Sequence, residues 1–399
     1  MSEKVPEGWK RVKLGDVAEI IGGGTPKTKV PEYWNGNIPW LTPKDLSNFK
    51  GIYIAHGERF ITKLGLQESS SKLLPKGTIL LTSRAPVGYL AIAKNGIATN
   101  QGFRSLVVKN GYDNLFVFYL LKNNIEYLRS QATGTTFGEI SGSTLKLLEF
   151  SFPPLPEQKA IASVLSSLDD KIDLLHRQNQ TLEKMAQTIF RHWFIDNSDK
   201  ENWEKKKLGD IAEIKIGRTP PRKEFQWFSK NKTDVKWVSV KDLGENGVYI
   251  FDTSEYLTQN AIDRFNIPII PKNTVLLSFK MTIGRVGITT EPMVSNEAIA
   301  HFKINSKTPI TTEYLYFFLK LFKYQELGST STIVTSINSK MIKDIEIFIP
   351  DRKKLFKFDL ITKNFFNKIY NNEQQIRTLE KLRDTLLPKL MSGEVRVKY

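Results

Sequence analysis

"WKRVKLGDVAEI" (Trp9 to Ile20) returns much later in the chain as "WEKKKLGDIAEI" (Trp203 to Ile214). Trp9, Leu14, Asp16, Glu19, Thr25 and Pro26 meet Trp203, Leu208, Asp210, Glu213, Thr219 and Pro220 in constant step. The echo continues. "WLTPKDL" (Trp40 to Leu46) answers to "WVSVKDL" (Trp237 to Leu243), and "LLPKGTILLTSRAPVGYLAI" (Leu73 to Ile92) to "IIPKNTVLLSFKMTIGRVGI" (Ile269 to Ile288). Asn100-Gln101 then matches Asn296-Glu297. The step changes by only a few residues across the half, which marks a duplicated domain with small insertions. A solenoid would repeat every ~20–50 residues.

In each half the early part reads as short strands. Apolar runs at Thr78 to Thr82, Gly102 to Val108, Thr274 to Phe279 and Ile299 to Ile304 are separated by Pro, Gly and Asn turn signals. Helices are expected at Leu115 to Arg129 and Thr312 to Leu327. Then the chemistry changes. "FPPLPEQ" (Phe152 to Gln158) and "IPDRK" (Ile349 to Lys353) each place proline before a long stretch free of Gly and almost free of Pro, as at the start of a long helix.

In the first stretch Ile161, Leu165, Leu168, Ile172, Leu175, Leu182, Met185 and Ile189 recur at steps of three and four, with Asn179 in a seam position. The second stretch gives Phe358, Thr362, Phe365, Ile369, Asn372, Ile376, Leu379, Leu382 and Leu386. This heptad pattern predicts a two-helix coiled coil on the order of 60 Å long at ~1.5 Å per residue, the alternative being two core helices of a bundle. Asn179 and Asn372 each replace an apolar seam residue, a device that fixes register at a cost in stability. The reading is therefore α+β: two similar mixed α/β domains separated by two long antiparallel helices, related by a pseudo-two-fold. Its segments are 1–152, 153–196, 197–349 and 350–399, the last including the C-terminal tail.

The chain of 399 residues has no cysteine, which excludes disulfides and thiolate metal sites and points to the cytoplasm. Its N-terminus lacks a signal-peptide core and no window reaches a membrane span. With 58 Lys and Arg against 42 Asp and Glu the net charge is +16, which favours a polyanionic partner.

The Gly- and Pro-rich loops carry the side chains that nucleic-acid readers use. Hydroxyls and backbone amides suit phosphate, Arg and Lys suit guanine edges, and Asn or Gln suits adenine. In the first half the DNA-binding candidates are Thr25, Lys27, Lys29, Lys44, Arg84, Tyr89, Asn100, Gln101, Arg104, Thr135 and Thr136. In the second they are Arg218, Thr219, Arg222, Lys223, Lys241, Lys280, Arg285, Asn296, Glu297 and Thr330. For any single lysine among them a solvated surface charge is the ordinary reading. Between the halves Arg84 becomes Lys280, Tyr89 becomes Arg285, Gln101 becomes Glu297 and Phe103 becomes Ile299. One scaffold with two sets of loop residues is suited to reading two sequences.

No catalytic constellation is legible. "SFPPL" (Ser151 to Leu155) lacks the leading amide or acid and the trailing aromatic of the amino-methyltransferase motif, and "GGGTPKT" (Gly22 to Thr28) fits neither GxGxxG nor a P-loop. The four histidines, His56, His176, His192 and His301, form no pair at ligand spacing, so no metal site is expected. The rival readings are a self-sufficient enzyme, which the missing motifs disfavour, and a coiled-coil protein that binds DNA without sequence preference.

Together, the duplicated opening line, "LPKGTILL" (Leu74 to Leu81), "PPLPEQKAIASVLSSLDDKIDLL" (Pro153 to Leu175) and "LRDTLLPKLMSGEVRV" (Leu382 to Val397) resemble the specificity subunit of type I restriction-modification systems over essentially the whole chain. The resemblance implies two target-recognition domains, each reading one part of a split site in double-stranded DNA. It also implies a non-catalytic platform for two methyltransferase subunits, which use S-adenosylmethionine for adenine-N6 methylation, and for restriction subunits that use ATP and Mg. No cofactor is expected on this chain itself. "IPDRKKLFKFDLI" (Ile349 to Ile361) departs from the pattern, being more basic and less regular than its counterpart.

Overall fold

The repeated opening line folds the same way twice. A strand (Lys10–Lys13, Glu204–Lys207) passes through one helical turn (Leu14–Val17, Leu208–Ile211) into a second strand (Ala18–Gly22, Glu213–Ile216). Leu14 and Leu208 are wholly buried, with Val17 and Ile211 beside them. No side chain caps either turn, because Lys13 and Lys207 stand at the capping position. A capping role for Asp16 and Asp210 is therefore not what fixes this line; its apolar residues are.

The computed structural model describes residues 5–134, 138–305, 307–327 and 337–398. They fall into two compact units, Met1–Leu174 with Ile376–Tyr399, and Leu175–Gln375. The first contains a five-stranded sheet in the order Ala18–Gly22, Phe103–Val108, Ile79–Thr82, Leu90–Ala93, Tyr53–Ile54. The second contains its copy, Glu213–Ile216, Ile299–Lys303, Val275–Ser278, Val286–Thr289, Tyr249–Ile250. In both, the last pair is parallel and the others antiparallel. A smaller mixed sheet accompanies each, built on Trp34–Leu41 in one unit and Val235–Val238 in the other.

Four helices complete the cores: α1 (Asn114–Asn123), α2 (Leu155–Phe190), α3 (Thr312–Leu321) and α4 (Arg352–Met391). The helix expected to run to Arg129 breaks at Asn124, and the one expected to run to Leu327 ends at Leu321, before a 3-10 turn. In the first unit Ile161 and Leu165 of α2 and Leu387 and Leu390 of α4 share one core with Phe116 and Tyr119 of α1. In the second, Phe190 of α2 and Phe358, Phe366 and Ile369 of α4 pack with Tyr314 and Phe317 of α3. Each fully buried side chain of this size contributes about 1.5–3 kcal/mol.

Within each unit the long helices run antiparallel. In the first, Asp169 meets Arg383, and Glu157 near the start of α2 meets Arg396 in the tail just beyond α4; in the second, Asn179 meets Asn372 and Phe190 meets Phe358. Of the expected seam, Ile161, Leu165, Ile172, Leu175, Phe358, Ile369 and Ile376 are buried. Leu168, Leu182, Phe365, Leu379 and Leu386 are half-buried. Leu382 and Met185 are exceptions, 44% and 48% exposed, while the neighbouring Arg383 and Ala186 turn inward. These helices bury a face against the sheets and short helices as well as against each other. The buried stripe is therefore broader than a coiled-coil seam, yet it keeps the heptad: Leu165, Ile172, Asn179 and Ala186, and Leu355, Thr362, Ile369, Ile376, Arg383 and Leu390, are buried or half-buried at steps of seven.

Polar groups punctuate this packing, differently in the two units. Asp169, 9% exposed, accepts from the Tyr119 hydroxyl (2.8 Å) and from Arg383 Nη1 (2.6 Å). Burial and that carboxylate push the Tyr119 hydroxyl well above the usual tyrosine range. In the second unit Glu183 accepts from the Tyr316 hydroxyl (2.6 Å) and from Lys320. Asn372, fully buried, donates to Asn179 Oδ1 at 2.8 Å, so the two polar seam residues satisfy one another. The two helix starts also differ. Gln158 ties α2 down by donating to the Pro153 carbonyl and accepting from the Asp113 amide, whereas α4 starts on an Asp351 cap bonded to the Lys354 amide.

Candidate nucleic-acid interface

Each five-stranded sheet has a central hairpin, joining Ile79–Thr82 to Leu90–Ala93 in the first unit and Val275–Ser278 to Val286–Thr289 in the second. Its loop is clamped by one hydroxyl. Thr82 Oγ1 donates to the Pro86 carbonyl (2.7 Å) and accepts from the Tyr89 amide (2.9 Å). Ser278 Oγ donates to the Thr282 carbonyl (2.5 Å) and accepts from the Arg285 amide (3.0 Å). Ala85 (φ 50°) and Met281 (φ 62°) occupy the same left-handed position in the two loops, which side chains with a Cβ rarely adopt.

The loops after the opening line are held by a second shared device. Thr25 donates to Gln101 Oε1, and Thr219 to Glu297 Oε2. Asn100 Oδ1 accepts from the Gly102 amide (2.9 Å), and Asn296 Oδ1 from the Ala298 amide (3.1 Å). Trp40 Nε1 donates to the Gly24 carbonyl, and Trp237 Nε1 to that of Arg218. Glycine is required at the approach: a Cβ at Gly23 or Gly217 would come within 2.0 and 2.3 Å of the Asn100 and Asn296 carbonyl oxygens.

The candidate side chains therefore divide by what they already hold. Thr25, Asn100, Gln101, Thr219, Asn296 and Glu297 brace loops. Arg104 bonds to Glu139 (2.8 Å), with Arg84 3.6 Å from the same carboxylate. Arg285, half-buried, donates to the Val240 carbonyl, and Arg218 to that of Phe265. Arg222 pairs with Glu255 and lies over the Phe228 and Trp237 rings. Tyr89, partly buried, packs against the core cluster that contains Leu80 and Phe103. Lys44 and Lys241 make exposed pairs with Glu58 and Glu245. Lys27, Lys29, Lys223 and Lys280 stand exposed, and among the described residues no ion pair holds them. Thr135, Thr136 and Thr330 lie outside the described residues.

Sequence reasoning missed three side chains. Arg59 stacks 3.6 Å from the centre of the Trp34 ring and 5.3 Å from that of Trp40. Only strand register signals this, because Arg59 lies opposite Trp40. Phe225 and Met281 are 79% and 93% exposed, both in the second unit, and Met281 follows Lys280 directly. His301, by contrast, is buried against Ser295 Oγ (2.6 Å), and burial lowers its pKa to about 4. Among the described residues no acidic and histidine side chains cluster as a metal site would require, and no helix is long and apolar enough to cross a membrane.

Known proteins with this arrangement agree on its class. The family model for the type I restriction modification DNA specificity domain matches twice, at residues 6–184 and 200–381. The type I restriction enzyme MjaIX specificity subunit of Methanocaldococcus jannaschii is 39% identical over 99% of this chain and 95% of its own length. The HindI specificity subunit of Haemophilus influenzae is 24% identical, covering 97% and 99% of the two chains. The crystal structure of the type I S subunit from M. genitalium shares the fold, with a TM-score of 0.60 at 18% identity over 98% of this chain and 97% of that one. Two copies of the specificity domain, each on the same sheet plan, place this chain in the family of type I restriction-modification specificity subunits.

Proposed function

We infer that this chain, as a specificity subunit, serves as the DNA-recognition component of a restriction-modification complex and not as its catalyst. We propose that each unit reads one half of a bipartite site in double-stranded DNA, and that α2 and α4 set the unread spacer between the halves. The two long helices also serve as the platform on which two methyltransferase subunits, and restriction subunits where present, assemble. S-adenosylmethionine then serves the methyltransferase subunits, and ATP with Mg the restriction subunits. Adenine must leave the base stack to be methylated, so the partner subunits flip it while this chain holds the duplex.

The observation that carries this reading is the pairing of constant framework with changed side chains. The hydroxyl clamps, the Thr–Gln and Thr–Glu braces and the Trp–carbonyl bonds recur in both units. Around them Arg84 and Tyr89 give way to Lys280 and Arg285, and within the brace itself Gln101 gives way to Glu297. Phosphate contacts from exposed lysines would set register, and a few loop side chains would read bases in the major groove. The test is an exchange of the loops between Gly217 and Lys340 for those of a relative. One half-site of the modified sequence changes and the other stays; a change in both halves would refute the division of labour.

A further inference from the structure

The Met281 side chain has no structural employment. It is 93% exposed, while Phe279, two residues before it, is 1% exposed and locked in the core. Its backbone sits at φ 62°, a conformation that costs a residue with a Cβ on the order of 1 kcal/mol and that surrounding structure must impose. The Ser278 clamp imposes it, as the Thr82 clamp does for Ala85 in the first unit. The equivalent left-handed position is held by alanine in one copy, ahead of the cis-linked Pro86, and by methionine in the other, so the positive φ does not dictate the larger side chain.

We propose that Met281 is a specificity-determining residue of the second recognition unit, making apolar contact with a thymine 5-methyl group in the half-site that unit reads. The inference rests on the DNA-reading function proposed above and deepens it. In the major groove the thymine methyl is the apolar mark on a base edge, and an unbranched thioether adapts to it readily. Lys280, exposed beside it, supplies the cation that a phosphate-lined groove favours and a protein interface core disfavours. The clamped hairpin fixes the backbone before binding, so only the rotamers of the two side chains are left to order.

The test uses the chain assembled with its methyltransferase subunits. It is titrated on the full site found by mapping modified adenines, and on duplexes in which uracil replaces thymine at one position at a time, which removes only the methyl group. In the half-site assigned to the second unit by loop exchange, one substitution weakens wild-type binding about fourfold, the value of one buried methyl. Met281→Ala binds the thymine and uracil duplexes equally, at the weaker level, and Met281→Leu restores most of the difference. Ala85 holds the same left-handed φ in the first unit and the Met281 side chain is 93% exposed, so the variant is expected to fold. Undiminished methyl sensitivity in Met281→Ala, or no sensitive thymine in that half-site, overturns the assignment while leaving DNA reading intact. Failure of Met281→Ala to assemble with its partner subunits, with DNA preference unchanged, would make the tip a protein contact and overturn it equally. If the wild-type complex does not prefer the mapped site over a scrambled duplex, the underlying reading fails as well.

Discussion

Replacing Arg383 by methionine isolates what ties the long helices to the first unit. The guanidinium is 15% exposed and donates to Asp169 Oδ1 at 2.6 Å, and the carboxylate it serves is 9% exposed. Removing one partner of a buried pair costs about 3–5 kcal/mol, chiefly because the other charge is left without compensation. Asp169 would keep the Tyr119 hydroxyl at 2.8 Å and Lys122 at 3.7 Å, so the expected loss is smaller, about 2–3 kcal/mol. Methionine retains most of the apolar stem, which separates charge from packing. At about 2–4 °C per kcal/mol for a unit of this size, Arg383→Met lowers the melting temperature of the first unit by about 4–12 °C. Scanning calorimetry or circular dichroism measures it. Adding Asp169→Asn to the variant recovers much of the loss, because the amide still accepts from Tyr119, the buried carboxylate is gone, and Lys122, a third exposed, still reaches water. A shift of less than about 1 °C in the single variant, or a double variant no better than the single, would refute the reasoning.

The buried amide pair makes an opposite prediction. Asn372→Leu alone leaves Asn179 without its partner and costs about 1–3 kcal/mol, whereas Asn179→Leu with Asn372→Leu is at least as stable as wild type in thermal denaturation but loses fidelity of helix register. That loss reads out as weaker or misplaced DNA modification. His301 gives a pH dependence. Burial holds its folded pKa at about 4, below the ordinary value, so the unfolded state binds the proton first and stability is lost as pH falls from about 6.5 to about 4. The loss in the second unit is on the order of 3 kcal/mol, and His301→Ser, the residue found at the equivalent Ser105 in the first unit, abolishes it in acid denaturation curves.

What the sequence disclosed depended on whether an effect was periodic or repeated. The duplication was legible because Trp9, Leu14 and the residues following them recur in step, and the long helices because Gly and Pro vanish after Pro156 and because Pro388 alone interrupts the stretch from Pro350 to Gly393. Strand pairing was not legible, since nothing local says that Phe103–Val108 lies between Ala18–Gly22 and Ile79–Thr82. The seam assignment missed at Leu382 and Met185 because a strict step of seven from Ile376 and Asn179 falls on Arg383 and Ala186, a charged and a small residue that a search for large apolar side chains passes over. Among the candidate readers, residue type alone could not separate Asn100 and Asn296, spent on their own turns, from Lys27 and Lys280, which stand exposed. Arg59 and Met281 were invisible because their interest lies in a cross-strand partner and in a backbone angle.

The central claim is that this chain selects the DNA sequence its complex modifies. A map of N6-methylated adenines across the genome of the source cell, with the gene intact and with it deleted, tests that most directly. The account predicts a split motif, two fixed half-sites around an unread spacer of constant length, that is modified in the intact strain and unmodified after deletion. A motif that persists without the gene, or modified sites that share no split sequence, would contradict it.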